Sequence, residues 1–197
     1  MECLLVVGLG NPGKEYAQSP HNIGFMVIDR LAEGCGGSVK RKNSRALTGQ
    51  VTIADQALLL AKPQTFMNLS GESVEPLLQK NSIGPSGLIV VYDDHDLPWQ
   101  ALRIRPRGSA GGHHGMESVI RSIGTTEFTR VRLGIDFGRG RAEPAYLLKP
   151  LGREQRRQLD DFLDFAAQAV VSIISEGVAM AMTKYNRRAQ GEKIEDE

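Results

Sequence analysis

Gly8-Leu9-Gly10-Asn11-Pro12-Gly13 follows the apolar run Cys3 to Val7 and reads G-x-G-x-x-G letter for letter. In a dinucleotide-binding fold that motif opens directly into a helix, whose N-terminus meets the pyrophosphate. Here Lys14, Glu15, Tyr16 and Ser19-Pro20-His21-Asn22 intervene, with Pro12 and Pro20 as punctuation, and helical periodicity resumes only at Ile23. The stretch is read as a buried strand, Glu2–Leu9, ending in a tight loop that presents Asn11 and then His21. Asp29, at about the distance of a ribose-binding acid, falls inside the next helix, which argues further against a dinucleotide site.

Outward from this stretch, strand and helix patterns alternate. Ile23, Met26, Val27 and Leu31 share one helical face, predicting a helix from about Asn22 to Glu33 with Asn22 as N-cap and Gly34, Gly36 and Gly37 as the stop. Strands are expected near Ala46–Ala54 and Ala57–Lys62, joined at Asp55-Gln56, with a loop over Lys62–Gly71. A helix over Ser73–Lys80 accommodates Pro76 only in its first turn. Leu88–Tyr92 is a continuous apolar strand ending at Asp93-Asp94-His95-Asp96. Ala101–Arg105 is a strand, and Gly108–Gly112 a loop into a helix over Gly115–Ile123. Thr129–Phe137 alternates Val131, Leu133, Ile135 and Phe137 with Arg130, Arg132, Gly134 and Asp136. A long amphipathic helix from Arg153 and a short one over Ala179–Arg188 complete the pattern. The fold class is α/β: a three-layer α/β/α sandwich with a twisted, mixed, largely parallel sheet. It forms one domain over residues 1–190 with a polar tail over 191–197.

Composition narrows the function. The formal net charge is only +1, but residues 97–141 hold eight arginines against Glu117, Glu127 and Asp136. Lys40, Arg41, Lys42 and Arg45 form a second basic cluster, and compensating acids gather towards the C-terminus, as at Asp160, Asp161 and Asp164. This layout suits a polyanionic ligand on one face. Cys3 and Cys35 have neither metal-ligand spacing nor the makings of a disulfide framework. No apolar run approaches the roughly 18 residues of a membrane span and no signal-peptide pattern opens the chain. A cytoplasmic location without membrane partner is therefore expected.

All four histidines (His21, His95, His113, His114) stand in or beside loops, and the expected site lies outside the carboxyl ends of the parallel strands. With no G-x-S-x-G elbow and no reactive-cysteine context, water is the simplest nucleophile. A histidine oriented by an aspartate could take its proton, and asparagine amides could stabilise an oxyanion. Asp93, Asp94, His95, Asp96, His113 and His114 would also be sensible metal ligands, but adjacent residues seldom point at one ion.

Gly8–Gly13 with Tyr16 and His21-Asn22-Ile23-Gly24, then Lys62-Pro63-Gln64-Thr65-Phe66-Met67-Asn68-Leu69-Ser70-Gly71, closely resemble the bacterial-type peptidyl-tRNA hydrolase family. So do Asp93 with Asp96-Leu97-Pro98, Gly108 with Gly111-Gly112-His113 and Gly115, and Phe128 with Arg132-Leu133-Gly134-Ile135. The resemblance runs in order from Leu5 to about Pro150. It implies a monomeric cytoplasmic enzyme that cleaves the ester between a peptide and tRNA after ribosomal drop-off, without metal or organic cofactor. Its partner would be the acceptor stem and CCA end of peptidyl-tRNA. His21 would be the general base, Asp93 its orienting partner, and Asn11 and Asn68 the groups near the scissile ester. Tyr16, Met67, His113 and His114 would contact substrate, and Arg105 and Arg132 would hold phosphates. Organellar splicing factors share this fold, so a non-catalytic RNA-binding relative is the alternative. The chain departs from the family pattern at His114, where asparagine is usual, at Tyr92, where histidine is common, and at Arg105, which is often lysine.

Overall fold

The computed structural model describes residues 3–138 and 144–186. Seven strands form one sheet in the order β2-β3-β4-β1-β5-β7-β6. They are β1 (Leu4–Gly8), β2 (Arg41–Asn43), β3 (Ala46–Ile53), β4 (Gln56–Pro63), β5 (Leu88–Pro98), β6 (Leu102–Arg105) and β7 (Thr129–Asp136). β4, β1, β5 and β7 run parallel, while β2, β3 and β6 pair antiparallel at the two flanks. Strand alternation divides the apolar residues between two cores. Val6, Leu58, Leu60, Ile89 and Val91 face α1 (Ile23–Gly34) and α4 (Arg153–Glu176). Leu5, Val7, Leu59, Ala61, Leu88 and Val90 face α2 (Gly71–Lys80) and α3 (His114–Ile123). Central strands covered on both sides must be apolar at every position, which is why β1 reads as an unbroken run. The three-layer arrangement matches the sequence reading. A final helix, α5 (Val178–Tyr185), packs on α4.

Four local expectations change. Asn22 stands at the N-cap position of α1, but its side chain makes no capping bond. The hairpin between β3 and β4 turns at Ala54-Asp55, one residue earlier than expected, with both residues at positive φ (49° and 62°), the geometry of a two-residue turn matched to strand twist. The charged edge strand β2 carries no apolar alternation and was not foreseen. Pro76 lies in the second turn of α2, because that helix begins at Gly71. Residues 139–143 and 187–197, the latter including the expected polar tail over 191–197, lie outside the described residues.

Gly8 and Gly24 explain how the loop after β1 is held. A Cβ on Gly8 would stand 2.1 Å from the Gly24 carbonyl oxygen, and one on Gly24 would stand 2.5 Å from that of Val91. The start of α1 thus lies directly on the ends of β1 and β5. These glycines serve backbone contact, and three-residue 3₁₀ turns at Lys14–Tyr16 and Pro20–Asn22 fill the loop where a dinucleotide fold would begin its helix. Adding a methyl there forces backbone apart, so Gly24→Ala should cost roughly 1–3 kcal/mol. Thermal unfolding should show it as a fall of about 2–4 °C for each kcal/mol; an unchanged Tm would contradict this packing.

Candidate active site

The site gathers at the carboxyl ends of β1, β4 and β5. Asp93, on β5, is buried at 3% exposure and carries a bridging carboxylate. Its Oδ2 lies 2.8 Å from His21 Nδ1 and its Oδ1 lies 3.0 Å from His113 Nε2. The network assigns the protons. The Met116 backbone N–H donates to His113 Nδ1 at 3.2 Å, so that nitrogen accepts and Nε2 must carry the proton given to Asp93. His113 thereby also caps α3. His21 donates through Nδ1, and its Nε2 makes no hydrogen bond among the described residues, leaving a lone pair at the half-buried edge of the ring. Burial alone would lower the His21 pKa, but attraction to Asp93 and their hydrogen bond outweigh it and raise it above the ordinary 6.5. Burial likewise opposes ionisation of Asp93, yet the two imidazoles hold its carboxyl well below the usual carboxylate range.

The ligand atoms of His21, Asp93 and His113 all lie within 4.8 Å of one another, a spacing that could hold a metal ion. In this network each of them is engaged in a hydrogen bond. The wider ligand set read from the sequence is dispersed: Asp94 binds Arg132, His95 stands 3.5 Å from Asp96, and His114 turns to Glu117.

Asn11 and Asn22 are locked reciprocally. The Asn11 N–H donates to Asn22 Oδ1 at 2.8 Å, and Asn22 Nδ2 donates to the Asn11 carbonyl at 2.9 Å. Asn11 Oδ1 then accepts the Met67 N–H at 2.8 Å. With its oxygen committed, the Asn11 amide has its N–H2 left to offer. Asn22 was expected to cap a helix; its function here is to set Asn11, and the only sequence signal was its place beside His21 in a matching motif. The Asn11 bond also ties down the turn that carries Met67 and Asn68 (a 3₁₀ turn, Met67–Leu69), where Met67 is buried and Asn68 exposed. A Cβ on Gly115 would lie 2.5 Å from Met67 Sδ, so this turn rests on the start of α3. Phe66 beside it is 62% exposed, an aromatic face on the same loop that the sequence reading left unassigned. Tyr16 is half-buried in the first 3₁₀ turn.

His113 and His114, both expected to meet substrate, part company. His113 is buried with both ring nitrogens bound to protein, whereas His114 is 75% exposed with Nδ1 at 3.2 Å from Glu117. Beside Asp93 and His113 opens a cavity of about 210 Å³, lined also by Asp94, His95, Arg105, Arg107, Arg130 and Arg132. Arg105 is free of acid partners among the described residues, but Arg132 is bound through Nε to Asp94. Arg130, counted in the sequence among the surface arginines, is buried at 1% exposure.

A carboxylate-oriented imidazole at the end of an α/β sheet, flanked by fixed amides and an arginine-lined cavity, is an arrangement able to support acid–base hydrolysis of an anionic substrate. A model of the family described as peptidyl-tRNA hydrolase matches residues 5–193. The peptidyl-tRNA hydrolase of Solibacter usitatus is 56% identical over 188 residues, covering 95% of this chain and 96% of its own. That of Koribacter versatilis is 46% identical, covering 94% of each. A crystal structure of a peptidyl-tRNA hydrolase in complex with N-propanol superposes with a TM-score of 0.87 at 31% identity, covering 96% of this chain and 97% of the other. The enzyme from Acinetobacter baumannii gives 0.86 at 31%, covering 94% and 95%. The chain belongs to the peptidyl-tRNA hydrolase family.

Removing the Asn22 amide would leave a buried N–H and a buried carbonyl of Asn11 unpaired, at about 1–3 kcal/mol for each group. Asn22→Ala is therefore expected to lower both the unfolding midpoint in urea and the turnover number. Unaltered stability and turnover would refute the assignment.

Proposed function

We infer that this protein hydrolyses the ester joining a peptide to the terminal ribose of tRNA, recycling tRNA from drop-off products. The observation that carries the reading is the His21–Asp93 hydrogen bond through Nδ1, which leaves Nε2 as a base at the open side of the ring. A water at Nε2 loses its proton to the imidazole as its oxygen attacks the ester carbon. Asp93 stays ionised and stabilises the imidazolium. Asn11, through the amide N–H2 it has left, and Asn68 donate to the developing oxyanion, and collapse of the intermediate returns the proton to the ribose oxygen. His113 holds the carboxylate from its other side. Tyr16 and Met67 line the cleft, and Phe66 offers a face on which a base can stack. His114 reaches the solvent side of the same helix start, where a substrate group can meet its imidazole.

The acceptor stem and CCA end supply the anions for Arg105 and Arg132. Action as a monomer in the cytoplasm is part of this reading; among the described residues no helix is long and apolar enough to cross a membrane. A binding-only, splicing-factor-like role is not favoured, because it would have no need of a carboxylate bonded to two imidazoles.

Three measurements test this. His21→Ala should retain tRNA binding while release of N-acetyl-aminoacyl product falls about 10²–10⁴-fold; equal turnover by both proteins would overturn the role of His21. The base works only when neutral, so its raised pKa places the acid limb of kcat/KM above pH 6.5. Asp93→Asn removes both influences that raise it and leaves burial, which lowers it, so a slower enzyme whose acid limb has moved to lower pH is expected. Affinity for tRNA should fall with salt, and Arg105→Ala should reduce the slope of log K against log salt by about one contact. Arg105 is the cleaner probe, since truncating Arg132 would also strand Asp94.

A further inference from the structure

A fully buried guanidinium needs an explanation, because an apolar side chain of similar size would usually be at least as stabilising. Arg130 lies on β7 over the Phe128 ring, 4.5 Å from its centroid. Its Nη1 donates to the Ser109 carbonyl and its Nη2 to the Thr126 carbonyl, each at 2.9 Å, while Nε finds no partner among the described residues. Burial pushes its pKa below the ordinary arginine value, and the neighbouring Tyr92 works against that. The two carbonyls belong to different segments. Thr126 precedes β7, and Ser109 lies in the glycine-rich loop that leads to α3. The next carbonyl along that loop, Ala110, accepts the His113 N–H at 3.0 Å. Tyr92 closes the circuit with its ring edge-on to His113, centroids 5.0 Å apart.

We propose that Arg130 is a positioning residue for ester hydrolysis: by clamping the Ser109 carbonyl it sets the 108–112 loop so that His113 delivers its Nε2 proton to Asp93. This rests on the hydrolase reading above for its kinetic consequence, though not for its geometry. A planar fork with two donors in fixed geometry holds two carbonyls of separate segments in one register; an ammonium on a flexible stem imposes no such geometry. A loop without that clamp lets His113 leave Asp93, and the carboxylate then has one imidazole fewer to keep it ionised and aimed at His21. The glycines of the loop are free to take other conformations, which is why an external anchor is required there.

Arg130→Lys keeps the charge and loses the fork. It should lower kcat about 10- to 100-fold, the scale of a misplacement near 1 Å, while KM for peptidyl-tRNA changes by less than about twofold. In imidazole nitrogen NMR, His113 should appear as the Nε2-protonated tautomer in the parent and as a mixture in the variant. A variant that merely melts earlier, with parental kcat and an unaltered His113 spectrum below its Tm, would overturn the proposal. So would a raised KM with a shallower salt dependence and unchanged kcat, which would make Arg130 a phosphate ligand. If Arg130→Lys does not fold, Phe128→Leu serves instead. It removes the ring under the guanidinium and should reduce kcat in the same direction with the same spectral change; parental values for both would refute the clamp. A parent protein that releases no peptide would sink the ester reading, while the NMR comparison still decides the positioning role.

Discussion

The buried Asp93 carboxylate joins three parts of the chain that are distant in sequence. Through Oδ2 it holds His21 from the loop after β1, and through Oδ1 it holds His113 from the start of α3. A carboxylate so enclosed is tolerable only when both oxygens are hydrogen-bonded, since an unpaired buried charge is expensive. The need for partners therefore constrains both loops. It also separates the two imidazoles in character: His113 is saturated by Asp93 and Met116, and His21 keeps one nitrogen open.

A second constraint works beside it with neutral groups. The reciprocal amide bonds of Asn11 and Asn22, continued to the Met67 N–H, fix the far wall of the cleft to the same β1 loop. The loop can make all these contacts because Gly8 and Gly24 let helix and strand backbones touch. The electrostatic and amide networks thus share one support, and catalytic geometry becomes a property of backbone packing at the sheet's edge.

Much of this was legible beforehand. Unbroken apolar runs at Leu5–Val7 and Leu88–Val91 marked central parallel strands, and helical spacing at Ile23, Val27 and Leu31 marked the first covering helix. The residues Asn11, His21, Met67, Asn68 and Asp93 were recognisable from their ordered motifs. Others misled for physical reasons. Asn22 at a helix start is ordinarily a cap, and only a long-range partner redirects its amide. Arg130 and Arg132 alternate along a strand as surface charges would, but periodicity reports the face of a residue and says nothing of what lies above that face. The edge strand β2 pairs on one side only, so no apolar pattern announces it.

The sequence by itself determined the layer order, the position of the site at the strand ends and the kinds of groups in it, because these follow from hydrophobic period, turn chemistry and residue type. The tertiary structure alone decided which histidine is open and which is saturated, which arginine lines the cavity without an acid partner and which is buried beneath a loop. Those distinctions depend on hydrogen bonds and desolvation between residues separated by up to 72 positions. Distance along the chain carries no information about such partners; only the folded geometry brings a donor within reach of its acceptor and excludes the water that would otherwise compete.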